Sequence, residues 1–478
     1  MLNVFLSRHI YLLSFFLFFP FFGCDWTVPH PDAVKAEYAI TDALIVCMDS
    51  SRHIITDGTI LIGGGKILAI APGERGHDWY EVSESVSAEG KLVMPGLINT
   101  HTHSAMTLMR GLADDLPLDK WLREHIWPAE KVLMDSAAIV AGTQLAMAEM
   151  IRSGTTTFND MYFFAGVMAE VVDSAGMRAI IGEGIIDFPT PSCANAQIAL
   201  DVTKRLIEQY RDHSRISISV APHSVYATNE ENLGEAISLA KEMHAPVHIH
   251  VSETQIEQRN AQSQFAMSPM AYLKQLGMLD VPQLIAAHGV HLSPADQQLL
   301  QTQQAGIAHC PESNMKLASG VAPVPDLLQR GIPVGMGTDG AASNNNLDLF
   351  ESMGHAALLQ KVHRMDPTAL PAEQVVEMAT IGGAHVLGLD QITGSIEVGK
   401  AADLLMLDLS RPALQPFYNP YSQLVYSARG SDVSDVMVEG QFLMRNRKLL
   451  TLQEADIIRR VKALQSKIVA EFSKQSSL

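Results

Sequence analysis

Cysteine is scarce in this sequence, and its scarcity narrows the kinds of site that the chain can hold. Only four cysteines occur in 478 residues, and none of them form a Cys-x-x-Cys pair: Cys24, Cys47, Cys193 and Cys310. A disulfide framework and a thiolate zinc site both depend on closely and regularly spaced cysteines. The sequence therefore indicates neither of them.

Basic residues are also in short supply. The 34 lysines and arginines stand against 52 acidic residues, which gives a formal net charge of −18. A nucleic-acid partner needs a basic face on the protein, so this balance argues against one. Hydrophobic residues at 47% and charged residues at 18% are ordinary for a globular enzyme. A chain of this length can build one large α/β barrel with an additional domain.

The chain has one conspicuous apolar run near its start, at residues 10–22, followed by Gly23 and Cys24. The run is short for a transmembrane helix but has the length of a signal-peptide core, and its end resembles a lipoprotein cleavage site. The alternative is an upstream start codon that adds a segment without function. We treat residues 1–35 as an extension and expect a cytoplasmic core without a membrane partner, unless the segment ending at Cys24 exports or lipid-anchors the chain.

Short strands and turns without helices occupy both ends of the remaining chain. Residues 36–94 contain strand-like runs joined by turns such as the three glycines 63–65. The same pattern resumes at residues 389–446, and a charged helix is predicted for residues 447–478. We therefore predict a small β-sandwich domain that is built from both chain ends.

Eight short apolar runs alternate with helical patterns between these ends. This alternation predicts an α/β fold over residues 95–388, a (β/α)₈ TIM-like barrel inserted in the small domain. In such a barrel the active site lies at the C-terminal ends of the strands. The predicted strands are 93–103, 154–160, 177–181, 216–220, 247–250, 284–288, 306–309 and 334–339.

Metal-ligand residues end several of these runs. His101 and His103 are two apart on the first strand, so their side chains point to the same face. His250 and Asp339 end two other strands, and together the four groups suit a zinc-like ion with one position left for water. Glu253 follows His250 by three residues, where a carboxylate can move protons. A single histidine at a strand end is more often packing, but matched positions on several strands favour a metal site.

Four motifs carry a resemblance to a known family: PGLINTHTH at 95–103, HIHVSET at 248–254, NMKLASG at 314–320 and GTDGAASNN at 337–345. With them, residues 36–445 resemble the amidohydrolase superfamily, and within it the 5-methylthioadenosine/S-adenosylhomocysteine deaminase group. The first motif alone marks only the superfamily, whereas the last is the most specific.

The resemblance implies that the (β/α)₈ TIM-like barrel is of the metal-dependent hydrolase type, and it implies roles for individual residues. It implies one Zn²⁺ per subunit, since the strand 216–220 has no lysine of the kind that bridges two ions in binuclear relatives. The implied metal ligands are His101, His103, His250 and Asp339; the proton-handling residues are Glu253, His288 and Asp339; the substrate contacts are Glu130, His223, Glu253 and Ser343. Some family members have an arginine where residues 181–184 stand here, so the contact to the tail of the substrate is not assigned.

The implied reaction is hydrolytic deamination of 5′-methylthioadenosine and S-adenosylhomocysteine, in which water attacks C6 of adenine, Glu253 protonates N1 and ammonia leaves an inosine analogue. The partner is thus a small adenosine-type substrate, and the chain is also a candidate homo-oligomer. The alternatives are a deaminase or chlorohydrolase acting on guanine, oxidised guanine, cytosine or triazine rings, and a non-enzymatic scaffold with a structural metal. Glu130 favours a ribosyl substrate, although an acid after Pro128 also suits a helix N-terminus.

Overall fold

The fold is known from a computed structural model that describes residues 35–73, 81–301 and 305–475. The signal-like segment and Cys24 lie outside these residues. Among the described residues, no helix has both the length and the apolar character needed to cross a membrane.

Seventeen strands are present in the described chain, and they fall into two sheets. The first five are β1 (Lys35–Val46), β2 (Ile54–Gly63), β3 (Lys66–Pro72), β4 (Glu81–Ser87) and β5 (Lys91–Pro95). The next eight are β6 (Leu97–Thr102), β7 (Thr155–Tyr162), β8 (Arg178–Ile185), β9 (Ile216–Pro222), β10 (Val247–Val251), β11 (Leu284–His288), β12 (Ala305–His309) and β13 (Val334–Met336). The last four are β14 (Leu404–Asp408), β15 (Val433–Val438), β16 (Gln441–Arg445) and β17 (Lys448–Leu449).

Both ends of the described chain contribute to the smaller domain. Strands β1–β5 and β14–β17 form one sheet in the order β17-β16-β15-β14-β5-β1-β2-β3, and β4 pairs with β1. The antiparallel pair of β5 with β14 joins the two ends, with Pro95 opposite Leu404. Side chains that alternate along the strands bury a separate apolar core, which includes Ile40, Ile60 and Met406. The prediction of a small β-domain made from both chain ends is therefore confirmed.

The barrel consists of the eight parallel strands β6–β13 in sequence order. Backbone contacts between its first and last strands bring the ends together, because Asp339 N donates to His101 O at 3.0 Å. All side chains of β6 and β7 are buried, as expected for strands covered on both faces. The predicted TIM-like barrel is therefore confirmed, and each of its eight predicted runs contains a strand.

The run 93–103 divides between the two sheets at Gly96. Strand β5 ends before this residue and pairs with β14, whereas β6 begins after it and pairs with β7. A Cβ at position 96 would lie 2.1 Å from Thr156 Oγ1, so only glycine fits at this crossing. The apolar run that carries the two histidines thus links the small domain directly to the barrel.

Helices alternate with the barrel strands, and a helix ends the described part of the chain. They are α1 (Leu118–Lys120), α2 (Trp127–Leu133), α3 (Ser136–Arg152), α4 (Ala165–Ala175), α5 (Ala196–Gln209), α6 (Glu230–Met243), α7 (Gln255–Phe265), α8 (Pro269–Gln275), α9 (Pro294–Leu300), α10 (Pro311–Lys316), α11 (Val324–Gln329), α12 (Leu349–Arg364), α13 (Ala372–Met378), α14 (Ile381–Leu387), α15 (Pro420–Ser422) and α16 (Glu454–Gln475). A π-helical turn, Trp121–Ile126, joins α1 to α2, so residues 118–133 form one continuous helical segment. The terminal helix α16 packs against α3 and α2.

Candidate functional site

Two histidines of β6 face a carboxylate from the end of the last barrel strand. His101 and His103 are both buried, and the Nε2 atom of each lies 3.3 Å from Oδ1 of Asp339. His250, from β10, completes the group, because its Nε2 atom lies 3.3 Å from Nε2 of His103. The four predicted ligands therefore converge within one buried space at the C-terminal ends of the strands.

The second nitrogen of each of these rings is held by a fixed partner. Nδ1 of His103 donates to the Met161 carbonyl at 2.5 Å, and Nδ1 of His250 donates to the His223 carbonyl at 2.8 Å. Nδ1 of His101 lies 2.8 Å from Nε2 of His248. These contacts direct the three Nε2 atoms toward one another, which is how ligand histidines are oriented at metal sites.

The donor set fits a cation. Nε2 of His101 is buried and has no hydrogen-bond partner among the described residues. Burial lowers the pKa of His101 to about 4 and the pKa of His250 well below its usual range, so both rings are neutral and can offer a lone pair. Burial alone would lower the pKa of His103, but the adjacent Asp339 carboxylate raises it to about 9, so this ring gives up its proton when a cation binds. The three nitrogens and one carboxylate oxygen then match the ligand preference of a zinc-like ion.

Asp339 is fixed by the motif that follows β13. Its φ of 61° lies in the left-handed region, and its Oδ1 accepts a hydrogen bond from Gly340 N at 2.7 Å. Its Oδ2 accepts from Ser313 Oγ at 2.6 Å and from Ser343 Oγ at 2.9 Å. Burial raises the pKa of Asp339, but the two β6 histidine rings, whose Nε2 atoms lie 3.3 Å away, outweigh this and lower it well below its usual range. Asp339 is therefore an ionised, oriented carboxylate.

Glu253 and His288 lie together beside this cluster. Both are buried, and Oε2 of Glu253 is 3.9 Å from Nε2 of His288. Nδ1 of His288 donates to Oδ1 of Asn314 at 3.0 Å, which leaves Nε2 free to accept a proton. Burial raises the pKa of Glu253, so this carboxyl group retains a proton more readily than an exposed one.

Glu257 is a buried residue beside Glu253 that the sequence analysis missed. Its two carboxylate oxygens accept hydrogen bonds from Ser252 N at 2.9 Å and from Glu253 N at 2.7 Å. Thr254 caps α7 by accepting from Glu257 N, so Thr254 and Glu257 have the spacing of a capping box. This Thr-x-x-Glu pattern is the signal that would have identified it. The two hydrogen bonds to Glu257 fix the backbone from which the Glu253 side chain projects.

The cluster opens into a cavity, called here the inner cavity, that is largely apolar. Its polar lining residues are Glu130, His103, His223, His250, Glu253, His288 and Asp339, and its large apolar ones include Leu118, Trp121, Leu122, Trp127, Phe163 and Tyr226. Few convergent polar groups in an apolar space are typical of a small-molecule site.

Glu130 lies in the wall of the inner cavity on α2. It accepts a hydrogen bond from the Tyr162 hydroxyl at 2.7 Å, and burial raises its pKa to about 7. His223 lies on the opposite loop after β9, and burial lowers its pKa to about 3, so its ring is neutral. Ser343 is buried behind Asp339 and, among the described residues, is not part of the cavity lining. The structure thus brings Glu130 and His223 to the cavity, but not Ser343.

Comparisons with known proteins agree with this geometry. The model of the amidohydrolase family matches residues 92–443. A 5-methylthioadenosine/S-adenosylhomocysteine deaminase from Syntrophobacter fumaroxidans is 44% identical over 428 residues, which cover 90% of this chain and 97% of the relative. A 5′-deoxyadenosine deaminase from Methanothermobacter thermautotrophicus is 46% identical over 406 residues, which cover 84% of this chain and 92% of the relative.

A solved structure shares the whole fold. The crystal structure of an adenosine deaminase from Xanthomonas campestris with bound zinc has a TM-score of 0.89 and 38% identity, and the match covers 92% of this chain and 100% of the other. The residues matched by the family model include every predicted ligand described above. The chain therefore belongs to the amidohydrolase family of metal-dependent hydrolases, and within it to the 5-methylthioadenosine/S-adenosylhomocysteine deaminase group.

Proposed function

We propose that this protein deaminates 5′-methylthioadenosine and S-adenosylhomocysteine by hydrolysis, releasing ammonia and the corresponding inosine analogues, with one zinc ion per subunit. The observation that carries the proposal is the position of Glu253 and His288 beside a buried three-histidine, one-aspartate cluster, in a cavity that also contains Glu130. A scaffold with a purely structural metal would not need this second set of proton-transfer groups.

In this proposal His101, His103, His250 and Asp339 hold the metal. A zinc ion so held lowers the pKa of a water molecule toward neutrality and makes it a nucleophile. The fit rests on the unpartnered Nε2 atom of His101 and on the convergence of the other donors. No lysine lies in β9, the strand on which binuclear members of the family have a bridging lysine, which supports a single ion.

The protons are moved by the chain's own residues. Asp339 and His288 accept protons from the attacking water, since the first is ionised and the second has Nε2 available. Glu253, whose pKa burial raises, donates a proton to N1 of the adenine ring, which prevents charge from building up as C6 becomes tetrahedral. As the C6–N bond breaks, the proton accepted from water passes to the amino group, which leaves as ammonia, and the proton of the C6 hydroxyl restores Glu253. Oε2 of Glu253 and Nε2 of His288 are 3.9 Å apart, so both groups face the same reacting centre.

The remaining groups bind and orient the nucleoside. Glu130 accepts hydrogen bonds from the ribose hydroxyls, in an orientation that the Tyr162 hydroxyl maintains. His223 lines the same cavity with a neutral ring and contacts the substrate from the other side. For Ser343 we propose support of Asp339 in place of substrate contact, because its hydroxyl donates to Oδ2 of that residue.

Two substrate classes remain to be compared by experiment. The relatives at 41–46% identity have the names of nucleoside deaminases, and one is named for 5′-deoxyadenosine, so the adenosyl part is shared and the 5′ substituent varies. Ring substrates without ribose, such as guanine or a chlorotriazine, offer no diol to Glu130. The buried carboxylate would then lose its ligand, which disfavours these rings.

An ammonia-release assay on purified protein tests the proposal. The panel comprises 5′-methylthioadenosine, S-adenosylhomocysteine, 5′-deoxyadenosine, adenine, guanine and a chlorotriazine, with metal content measured in the same preparation. We expect turnover of the nucleosides well above that of the free rings, and about one zinc ion per chain. Preferential turnover of a free ring, or two tightly held metals per chain, would contradict the proposal.

A further inference from the structure

A second space, called here the chamber, adjoins the inner cavity. Its walls are residues 118–127 of the helical segment, the loops after β8 and β9, and helix α7. Four residues line both spaces: Leu118, Leu122, Trp127 and Tyr226. A ligand whose reacting end occupies the inner cavity can therefore extend past these side chains into the chamber.

Arg123 is the basic residue in the lining of the chamber. Among the described residues that line either space, it is the only lysine or arginine. Its Nε atom donates to Asp119 at 2.5 Å, and its guanidinium carbon lies 5.5 Å from the ring centroid of Trp127. Its terminal Nη groups donate to none of the residues that the structure describes. Two parallel donors of this kind match the two oxygens of a carboxylate.

The distance that such a ligand must span can be estimated from the spacing of Glu130 and Arg123 along the helical segment. Glu130 and Trp127 both line the inner cavity, and Trp127 and Arg123 both line the chamber. Seven residues separate Glu130 from Arg123, which corresponds to a helical rise of roughly 10 Å. An extended homocysteinyl tail reaches roughly 7 Å from the ribose 5′ carbon to its carboxylate. A nucleoside bound through its ribose at Glu130 thus brings that carboxylate within range of Arg123.

We propose that the chamber binds the 5′ substituent of the substrate and that Arg123 binds a carboxylate at the end of this substituent. The inference rests on the proposed function, since it takes an adenosine-type nucleoside as the molecule in the inner cavity. Arg123 is then a specificity residue that distinguishes amino-acid-bearing thioethers from neutral ones. A short thioether such as the methylthio group leaves the chamber to water and does not use the guanidinium.

The test compares three substrates that differ only in the 5′ substituent: S-adenosylhomocysteine, its decarboxylated analogue with the ammonium group alone, and 5′-methylthioadenosine. Arg123→Gln should lower kcat/KM for S-adenosylhomocysteine by about fivefold to tenfold, mainly through KM, because solvent screens part of a charged hydrogen bond at this exposed position. Turnover of the other two substrates should change by less than about twofold.

Two further variants sharpen the comparison. Arg123→Lys keeps the charge without the planar fork, so its loss on S-adenosylhomocysteine should be smaller than that of Arg123→Gln. Arg364→Gln removes another helical arginine, which pairs with Asp326 and lines neither space, and should leave all three substrates unchanged. The side chain of Arg123 is 65% exposed, so its substitution leaves the fold intact, which thermal unfolding can verify.

The outcomes separate the two proposals. An equal loss on all three substrates, or no loss on S-adenosylhomocysteine, overturns the assignment of Arg123, while wild-type turnover of 5′-methylthioadenosine upholds the proposed function. If the wild-type protein deaminates none of the three nucleosides, the proposed function fails and the role of the chamber fails with it.

Discussion

At the scale of single residues, a substitution of Glu253 tests the proposed chemistry most directly. Glu253→Gln keeps the size of the side chain but removes the transferable proton, and the residue is argued to be outside the ligand set. We expect the variant to keep its metal and to lose about 10²–10⁴-fold in kcat. Elemental analysis and the ammonia assay measure the two properties on one sample.

A matched control is Glu242→Gln, which alters an exposed carboxylate paired with Lys204 on the barrel surface. It should leave both metal content and turnover unchanged. Near-wild-type turnover of Glu253→Gln would show that another group protonates the ring.

Glu257 acts one step behind Glu253, through the backbone. Glu257→Ala deprives Ser252 N and Glu253 N of their acceptor, which allows the Glu253 side chain to shift. A displacement of about 1 Å at a catalytic group can cost about 10²-fold, so we expect a fall in kcat of that order with KM and metal content little changed. The amide oxygen of Glu257→Gln can still accept one of the two hydrogen bonds, so its kcat should lie between those of the wild type and Glu257→Ala. An unchanged kcat in a destabilised protein would mark Glu257 as purely structural.

The carboxyl group of Glu130 provides a dependence on pH. Burial raises its pKa to about 7, so the residue is protonated below this value and ionised above it. The ionised form accepts both ribose hydroxyls, and binding should therefore strengthen as pH rises through about 7. Hydrogen bonds to a charged group contribute about 1.5–3 kcal/mol, or roughly tenfold to a hundredfold in kcat/KM.

The ratio of kcat/KM for 5′-methylthioadenosine to that for its 2′,3′-dideoxy analogue isolates this effect from other titrations. The ratio should rise between about pH 6 and pH 8 in the wild type. In Glu130→Gln, which cannot ionise, it should be low and flat. A ratio that does not vary with pH in the wild type would remove Glu130 from ribose recognition.

At the scale of elements, Gly337 lies where the first and last barrel strands approach each other closely. A Cβ there would lie 2.9 Å from Cys310 Sγ and 3.1 Å from His101 Cβ. Gly337→Ala should therefore displace His101 and weaken metal binding by about 10- to 100-fold, the range found when support around a metal site is disturbed. Competition with a chelator measures this affinity.

Gly234→Ala is the matched control for this substitution. Gly234 lies in helix α6, and a Cβ at this position meets no atom within 4 Å. Alanine should leave metal affinity unchanged and stabilise the helix by up to about 1 kcal/mol. Equal metal affinity in both variants would show that the β6–β13 contact tolerates an extra methyl group.

The elements also show how far the sequence alone can lead. The eight barrel strands were predictable because each is a short apolar run bounded by turns. The proposed ligands His101 and Asp339 were predictable because they end such runs. His248 lies two residues before His250 and on the same face of the strand, so this spacing could have predicted that His248 also lies beside the histidine cluster. The π-helical turn and the hydrogen bond of Tyr162 with Glu130 depend on contacts between distant segments, for which the local pattern has no signal.

At the scale of the whole molecule, one buried ion pair ties the barrel to the small domain. Nε of Arg178, at the start of β8, donates to Asp403 at 2.7 Å, and Asp403 also accepts from Glu439 N at 2.7 Å. Breaking a buried pair by removing one partner costs about 3–5 kcal/mol. Asp403→Ala should lower the free energy of unfolding by that amount and leave the metal content of the folded protein unchanged.

Asp326→Ala provides the comparison, since Asp326 pairs with Arg364 on the surface. An exposed pair contributes about 0–1 kcal/mol, so chemical denaturation should separate the two variants clearly. Similar unfolding free energies would mean that the Arg178–Asp403 pair adds nothing beyond an ordinary surface contact.

The pairing of β5 with β14 has a consequence for how the chain is made. Pro95 leaves the ribosome about 300 residues before its partner Leu404, a delay of roughly 15 to 60 s at ordinary elongation rates. During this interval one edge of β5 has no native neighbour, and unpaired strand edges are templates for association with other chains. The small domain, although it contains the first described strand, is thus among the last parts of the molecule to be completed, and nascent chains are most vulnerable to aggregation while the barrel between its halves is still being synthesised.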